Sequence, residues 1–477
     1  MRLQKEKGLT VPARASLGFT LSGILAKGVA VLLTPVFSRL LTAEQYGLTS
    51  LYLTWLGIFS VLATLGISGS VLYRGMQKYR ANVDAFCASA FSFASLFFCL
   101  TLFFYLLFRE SVNRFTGLDT RLTLFLFMQI AANLSLSFFG ARCRYFYRPL
   151  PYAVVTLGCD LFSAAGALLL IRFSPHPEMA RILSTLAVSA TFAVVLIVLR
   201  YLRGKCLARR EHLAFLLPFS FSLFPHYAAT ILLAEGGRAV IGRQLGRAAL
   251  AGYGIASALG LALSLFSVGI GSAYQPWVMR KVAAGEPEKI APVTNRLAVL
   301  FTLLTALGTL LFPEIFSLLA PADYRSALVA ALPLACSVLP HFLASVLTGI
   351  LLTREKVGSV SAVTLATAVL SLLADAVVVP RFGATASGFV TLFAALLLLA
   401  LRLVCVRREG IRGILSVQRT AGLLLFSLAF SGGVYLLFPY PAIRFLLFLL
   451  LAIPTLLFGK KVAATLKEER VRTAVEE

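Results

Sequence analysis

Cationic side chains in and around long apolar runs are the residues of this sequence that could do chemistry. Lys27 lies about ten residues from either end of one such run, and a charge at that depth of a bilayer costs about 2.5–3.5 kcal/mol on insertion scales. We therefore expect it to face protein or water. Arg74, Arg142 and Arg144 lie at the ends of other runs, and a guanidinium binds phosphate through paired hydrogen bonds. These residue types could recognise an anion.

Each of these cations also has a structural interpretation. Lys27 could pair with a helix-end carbonyl or with the carboxylate of Asp160 or Asp375. Basic residues at the ends of apolar runs, such as Arg74, are expected from membrane topology alone. Both interpretations stay open from the sequence.

A second polar group lies in and after the seventh apolar run. Arg238 is a candidate binding residue, with Glu235 as its partner, because it lies on a sparsely charged side where topology does not require an arginine. The alternative is an exposed salt bridge that contributes little. His226 lies deep in the same run, where it could take up protons or be a packed neutral side chain.

The elements that must position these residues are membrane helices. Of the 477 residues, 59% are hydrophobic and only 13% are charged, and the mean hydropathy is +0.88. A bilayer core needs about 20 apolar residues of helix, and the runs are too long and too uniformly apolar for barrel strands. The sequence predicts an all-α polytopic membrane protein with about fourteen transmembrane helices, at 15–37, 48–72, 85–108, 122–141, 152–171, 180–199, 213–234, 250–274, 296–319, 327–351, 358–379, 384–406, 420–438 and 442–459.

The distribution of basic residues predicts the orientation. Loops on the side of the N-terminus hold about 31 Lys and Arg residues against about 12 on the other side, so both termini are expected in the cytoplasm. The net charge of +24 comes from short clusters between spans, with no soluble domain to present them to nucleic acid. The predicted external loops are short, so we expect function to lie inside the helix bundle.

A weak internal repeat predicts the domain organisation. Tyr46-Gly47 and Tyr253-Gly254 each follow a long helix, an arginine and a short polar turn, and each precedes another long helix. Two lobes of six helices in the same orientation follow from this pattern. The predicted division is an N-terminal lobe at 1–205, a C-terminal lobe at 206–409, and two accessory helices with a basic cytoplasmic tail at 410–477.

Four segments carry a family resemblance. The segment ILAKGVAVLLTPVFSRLLTAEQYGLTSLY (24–52) resembles the first-helix signature of the polysaccharide or O-antigen flippases. RAVIGRQLG (238–246), LAPADYRSA (319–327) and VVPRFGATASG (378–388) resemble three later turns of that family, in the family's order. Many relatives carry Asp immediately before the arginine at 238, whereas this chain has Gly237 and departs from the family pattern there.

The resemblance implies the fold of the multidrug/oligosaccharidyl-lipid/polysaccharide (MOP) superfamily, a MATE-like pair of six-helix lobes plus two C-terminal helices. It also implies a flippase of the bacterial cytoplasmic membrane that moves undecaprenyl-pyrophosphate-linked oligosaccharide from the inner to the outer leaflet for capsule, O-antigen or related glycan export. We expect it to work by alternating access. Substrate contacts are then expected at Lys27, Arg74, Arg142, Arg144 and Arg238. The expected coupling or gating residues are Glu235, His226, Tyr46 and Tyr253.

The expected partners are the lipid-linked glycan and membrane lipids, with a glycan polymerase and glycosyltransferases as further candidates. No enzymatic step, cofactor or metal is expected, and H⁺, Na⁺ or the membrane potential could drive transport. Three alternatives remain open: a cation-coupled multidrug exporter of the same superfamily, a membrane glycan polymerase or ligase, and a scramblase or scaffold within a glycan assembly complex. The drug exporter would favour carboxylates where this chain has Lys27, and the enzyme would need acids or histidines in sizeable external loops.

Overall fold

A computed structural model describes residues 11–204, 207–411 and 413–476, and its regular elements in those ranges are all helical. This confirms the predicted all-α class. Short 3₁₀ turns precede α4, α11 and α12. The α-helices are α1 (Val11–Leu40), α2 (Ala43–Thr64), α3 (Ser70–Lys78), α4 (Val83–Leu107), α5 (Arg109–Thr116), α6 (Thr120–Tyr145), α7 (Pro149–Phe173), α8 (Pro177–Gly204), α9 (Arg210–Gln244), α10 (Arg247–Ala283), α11 (Ile290–Leu319), α12 (Leu328–Cys336), α13 (Val338–Thr353), α14 (Val357–Phe382), α15 (Ala384–Arg408), α16 (Val417–Leu436) and α17 (Pro441–Glu476).

Fourteen helical segments in the described residues are long and apolar enough to cross a membrane. Each corresponds to one predicted span, and the chain is a multi-pass membrane protein. Their backbone groups are satisfied within each helix, as a span through lipid requires. The remaining helices, α3 and α5, are short and follow the ends of spans.

Two predicted spans are wrong in detail. The second was predicted at 48–72, but α2 ends at Thr64 and α3 begins at Ser70, because Leu65 and Gly66 adopt positive φ angles of 50° and 61°. The tenth was predicted as one helix at 327–351, but it is interrupted at Ser337 between α12 and α13. Pro340 has no N–H to complete the helical bonding there.

The helices pack into two compact units. The first comprises Met1–Leu33 and Leu51–Ile231, and the second comprises Thr34–Ser50 and Leu232–Glu477. Helices α1, α2 and α9 therefore each contribute residues to both units. The division at 205 and 409 stays a prediction about the family fold.

Small side chains allow close helix packing in the first unit. The Ser184 hydroxyl of α8 donates to the Ser163 carbonyl of α7 at 2.8 Å, and a Cβ on Gly166 would collide with the same hydroxyl. Close approach through small residues is typical of membrane helices. Elsewhere in this unit the buried Trp55 indole N–H donates to the Thr116 carbonyl at 2.9 Å, which ties α2 to the end of α5.

An aromatic cluster anchors the core of the second unit. Tyr274 of α10 is fully buried and its hydroxyl lies 2.7 Å from the Thr294 hydroxyl of α11. Its ring stacks on Trp277, and Phe301 packs on Phe342 with ring centroids 4.4 Å apart. These contacts join α10, α11 and α13.

Candidate functional site

Lys27 lies on a distinct face of α1 in the first unit. Its side chain is exposed and makes no hydrogen bond or ion pair with any residue that the structure describes, so neither Asp160 nor Asp375 is its partner. At about 100° per residue, mostly small and polar residues lie within about 60° of Lys27, together with Ile24 and Val31, and exposed apolar residues lie on the opposite face. The first face carries Ser16, Thr20, Gly23 and Ala30, and the second carries Leu21, Leu25, Leu32 and Val36.

These two faces suit different surroundings. The leucine face has the composition of a lipid-exposed surface, whereas an ammonium on a face of small residues requires water or an anion. The helix α1 therefore presents a cation from a polar face at mid-span. This arrangement can bind a negatively charged group without a covalent step.

Arg74 lies on α3, close to the rings of α9. Its guanidinium carbon lies 5.3 Å from the ring centroid of Phe219, and the Lys78 ammonium lies 4.9 Å from that of Phe215. Lys78, Glu211 and both rings line a groove of about 430 Å³ within the first unit, with Pro218 between the two rings in sequence. The arginine predicted to bind phosphate thus lies beside a second cation that the sequence analysis missed.

Arg142 and Arg144 lie in the last turn of α6, and each has a neighbour of its own. Arg142 pairs with Asp84 at 2.7 Å, where α4 begins. The Arg144 guanidinium carbon lies 5.4 Å from the ring centroid of Tyr152 on α7 and its side chain is exposed. Arg142 has a structural partner, whereas Arg144 has its charge open to solvent.

The ends of α3 and α6 are joined directly. The Tyr145 hydroxyl donates to the Met76 carbonyl at 3.1 Å, and the rings of Tyr73 and Tyr145 lie 5.8 Å apart. The helix that carries Arg74 therefore packs against the helix that carries Arg142 and Arg144. These cations lie on adjoining helix ends of the first unit.

His226 lies half-buried on the part of α9 that belongs to the first unit. Its ring centroid is 5.8 Å from that of Tyr227, whose hydroxyl accepts a 2.9 Å hydrogen bond from the Ser70 backbone N–H. The Tyr227 ring also packs where a Cβ on Gly66 would lie. His226 is thus next to the residue that braces the break between α2 and α3.

Arg238 forms an ion pair with Glu235 in the second unit, with Nη1 3.3 Å from Oε2. Between them in sequence, Gly237 packs against two other helices. A Cβ at this position would lie 3.0 Å from Asp375 Oδ2 of α14 and would collide with the Ser387 hydroxyl of α15. The carboxylate that the family resemblance would place at 237 is absent, and Asp375 fills the adjacent space.

Tyr253 is buried beside the same residues. Its hydroxyl lies near Ser387 and Thr391, with Arg238 and Asp375 close enough to interact electrostatically. Asp375 itself is 2% exposed. The second unit thus holds a polar cluster in which Asp375, Tyr253 and Ser387 are buried, whereas Thr391, Arg238 and its partner Glu235 are partly exposed. Of these residues, Arg238, Glu235 and Tyr253 were predicted as site residues.

Tyr46 belongs to the segment SRLLTAEQYG (38–47), which packs within the second unit. It is buried and lies beside Tyr324. Ser38 donates to the Leu319 carbonyl at 2.6 Å, and Arg39 donates to the Leu318 carbonyl at 2.9 Å. These carbonyls end α11 and have no helical partners of their own. The segment caps α11.

Residues in and close to the four segments that carry the family resemblance contact one another in this unit. Gly47 approaches the Arg247 backbone so closely that no Cβ could fit, and Gly252 packs on Ala327 and Tyr324. Gln244 donates to the Ala376 carbonyl at 3.2 Å. Much of the signature therefore lies in mutually packed helix ends, apart from the stretch of α1 that carries Lys27.

The comparison with protein families gives the identity that these features indicate. The family model described as polysaccharide biosynthesis protein matches residues 14–281, more than half of the chain. The chain belongs to this family. An uncharacterized membrane protein from Haemophilus influenzae is 21% identical over 303 residues, covering 62% of this chain and 72% of that protein.

The fold of this family member is that of MOP transporters. A structure of lipid II flippase MurJ in an inward closed conformation aligns with a TM-score of 0.64 and 13% identity, covering 94% of this chain and 99% of that chain. A MATE transporter in complex with MaL6 aligns with a TM-score of 0.56 and 12% identity over 85% and 98% of the two chains. A MOP superfamily transporter from Pyrococcus furiosus aligns at 0.53 and 12%, with the same coverage. The predicted MATE-like fold is confirmed, and the solved structures that share it are by name a flippase and transporters.

Proposed function

We propose that this polysaccharide biosynthesis protein is a flippase that moves a polyprenyl-pyrophosphate-linked oligosaccharide from the inner to the outer leaflet of the bacterial cytoplasmic membrane. The observation that carries the proposal is Lys27, a mid-span ammonium on a polar helix face with no protein partner among the described residues. A MOP-type transporter with a cation at that place suits an anionic cargo. One structural neighbour is a lipid flippase by name.

Arg74, Lys78 and Arg144 suit the first contact with the pyrophosphate. They lie on adjoining helix ends of the first unit, and the charge bias assigns those ends to the cytoplasm. Guanidinium groups bind phosphate with two parallel hydrogen bonds, whereas Lys27 acts as a point charge. Arg142 serves mainly to join α6 to α4 through Asp84.

The membrane potential can drive this transport. Outward movement of a net charge of about −2 from a negative interior gains roughly 4.6 kcal/mol per 100 mV. Coupling to H⁺ or Na⁺ is an added proposal, for which the cluster around Tyr253, Arg238 and Asp375 offers polar groups. Glycosyltransferases and a glycan polymerase would supply and consume the cargo.

The experiment is a depletion in the organism that encodes the chain, with complementation by variants. Depletion should cause the lipid-linked oligosaccharide to accumulate in the membrane and the surface polysaccharide to fall. Lys27→Ala should fail to restore export although its membrane level matches that of the wild type. Lys27→Arg keeps the charge and should restore export in part.

Two results would overturn the proposal. Full export by Lys27→Ala at wild-type abundance would remove the role of the ammonium. A drug exporter would instead be indicated by two results together. Expression of the chain in a pump-deficient strain would lower ethidium accumulation, and depletion would leave the amount of lipid-linked glycan unchanged.

A further inference from the structure

A groove between three helices of the second unit has no part in the proposed transport path. It lies between α11, α16 and α17 and has a volume of about 590 Å³. Arg296 and Arg419 line it together with the apolar side chains of Val299, Leu423 and Phe458. The groove thus combines two cations with an apolar wall.

The cations and the wall lie at one end of the spans. Arg296 is in the second turn of α11, Arg419 is in the first turn of α16, and Phe458 is close to the end of the α17 span at Val462. Both arginine side chains are exposed. This end is the one that the charge bias assigns to the cytoplasm, so the arginines are at the depth of lipid headgroups.

Backbone contacts fix the mouth of the groove. The Ser416 backbone N–H donates to Asn295 Oδ1 at 3.5 Å, and the Ser416 hydroxyl accepts from the Arg419 backbone N–H at 3.5 Å. These bonds hold the start of α16 beside α11. In the described part of the chain, no carboxylate pairs with the Arg419 side chain, and no Asp or Glu lines the groove.

The wall of the groove is built on the unit's core. Leu423 and Phe458 pack against the buried cluster that includes Leu297 and Phe301. Gly422 lies between the mouth and the wall, and a Cβ there would meet no atom within 4 Å. An acyl chain can therefore lie along Leu423, Phe458 and Val299 while a headgroup meets the arginines.

We propose that this groove binds one anionic glycerophospholipid of the cytoplasmic leaflet. A lipid phosphate accepts paired hydrogen bonds from guanidinium groups, and basic pockets between membrane helices favour anionic headgroups. A phospholipid with an ammonium headgroup would place a positive charge beside Arg296 and Arg419. The bound lipid joins the accessory helices α16 and α17 to α11.

The test uses the purified full-length protein and native mass spectrometry. Palmitoyl-oleoyl phosphatidylglycerol is added to the delipidated protein in parallel with the phosphatidylethanolamine of the same acyl chains. Phosphatidylglycerol should give a one-lipid adduct and raise the melting temperature, and phosphatidylethanolamine should do so much less. Arg419→Gln should weaken the adduct at least about tenfold, since a hydrogen bond to a charged group is lost.

Two further variants make the test specific. Gly422→Leu fills the groove without changing a charge and should also lose the adduct. The Arg407→Ala/Arg408→Ala double variant removes exposed charges from the end of α15 and should keep it. Size-exclusion chromatography shows whether each variant is folded. If Arg419→Gln or Gly422→Leu fails to fold, the other of these two variants is used to test lipid binding.

Several outcomes would overturn the proposal. Equal binding of the two lipids would contradict the preference for an anionic headgroup. An unchanged lipid adduct in both Arg419→Gln and Gly422→Leu, or an equal loss of the adduct in the Arg407→Ala/Arg408→Ala control, would contradict binding in the groove. Displacement of the lipid by inorganic phosphate at the same concentration would show a site for a soluble anion. Binding of a polyprenyl phosphate but not of phosphatidylglycerol would assign the groove to the transport cargo.

Discussion

At the scale of single residues, charge placement distinguishes binding side chains from structural ones. Lys27 and Arg444 both lie in spans, but Arg444 is 3% exposed and pairs with Glu314, whereas Lys27 is exposed and has no partner among the described residues. Arg142 is a structural residue like Arg444, because the carboxylate of Asp84 neutralises its charge. In the proposed transport, the anionic cargo meets cations that have no carboxylate partner within the described ranges, such as Lys27 and Arg144.

Gly237 gives a prediction at this scale. Gly237→Asp restores the residue that the family resemblance implies, but Asp375 already lies beside this position. We expect overpacking to lower the free energy of unfolding by about 1–3 kcal/mol, and repulsion between the adjacent carboxylates to lower it further. The melting temperature should fall accordingly. Thermal unfolding of the purified protein measures this change in melting temperature. The double variant Gly237→Asp/Asp375→Ala should recover part of the lost stability. A stable Gly237→Asp single variant would contradict the assignment of Asp375 to that space.

At the scale of helices, long-range polar contacts fix the ends of the spans. Arg39 and Ser38 cap α11, Tyr227 braces the break between α2 and α3, and Arg444 holds the start of α17 on α11. The contacts of Ser38, Arg39 and Tyr227 supply hydrogen bonds at a helix end or break, where the backbone lacks its own partners. Arg444 also does so, because its Nε donates to the Leu437 carbonyl immediately after α16 at 3.1 Å. These contacts set where one helix meets the next.

The Arg444 contact gives a stability prediction. Arg444 Nη1 and Nη2 lie 2.6 and 2.7 Å from the two Glu314 oxygens, and Nη1 also donates to the Leu310 carbonyl at 2.9 Å. We expect Arg444→Ala to destabilise the protein by roughly 3 kcal/mol, the lower end of the range for breaking a buried pair, because Glu314 is partly exposed. Arg381→Ala, at an exposed arginine that ends α14, is the control for thermal unfolding in detergent. Equal melting temperatures for the two variants would contradict the role of the pair.

The turn before α11 gives a pH prediction outside the spans. Hydrogen bonds from Lys289 and Lys281, at 2.7 and 2.9 Å, lower the pKa of Glu286 below its ordinary value. A carboxylate with a lowered folded-state pKa stabilises the protein above its unfolded pKa, and this contribution is lost as the pH falls through the folded pKa. Glu286→Gln should therefore lower the melting temperature at neutral pH, with a difference that shrinks below pH 4.5. Glu288→Gln is the matched control, and a difference that grows on acidification would contradict the sign.

The sequence predicts spans well because hydropathy over about 20 residues is a local property. It does not predict the break after Thr64, because Gly66, with its positive φ, packs against Tyr227, far away in the chain. The same limit applies to Asp84 as the partner of Arg142 and to Asp375 beside Gly237. Lys27 was identified from sequence because its charge is anomalous in its own helix. Lys78 was missed because basic residues at span ends are common.

At the scale of the whole molecule, family, fold and charge support one account. The polysaccharide biosynthesis family model and the fold of MOP transporters fit a polytopic carrier. The excess of basic residues on one side fits an orientation with both termini in the cytoplasm. In this account the helix ends near Arg74 admit the cargo, Lys27 holds its pyrophosphate at mid-span, and alternating access releases it outside.

Translocation by the purified chain in proteoliposomes tests this account most directly. The cargo is the lipid-linked oligosaccharide isolated from depleted cells, and the readout is the rate at which its glycan becomes accessible to an impermeant oxidising reagent outside. We predict rapid exposure with the wild type, acceleration by an inside-negative potential, and a rate about 10- to 100-fold lower for Lys27→Ala, since a hydrogen bond to a charged group is lost. A wild-type rate equal to that of protein-free vesicles, or a Lys27→Ala rate equal to the wild type, would contradict the account.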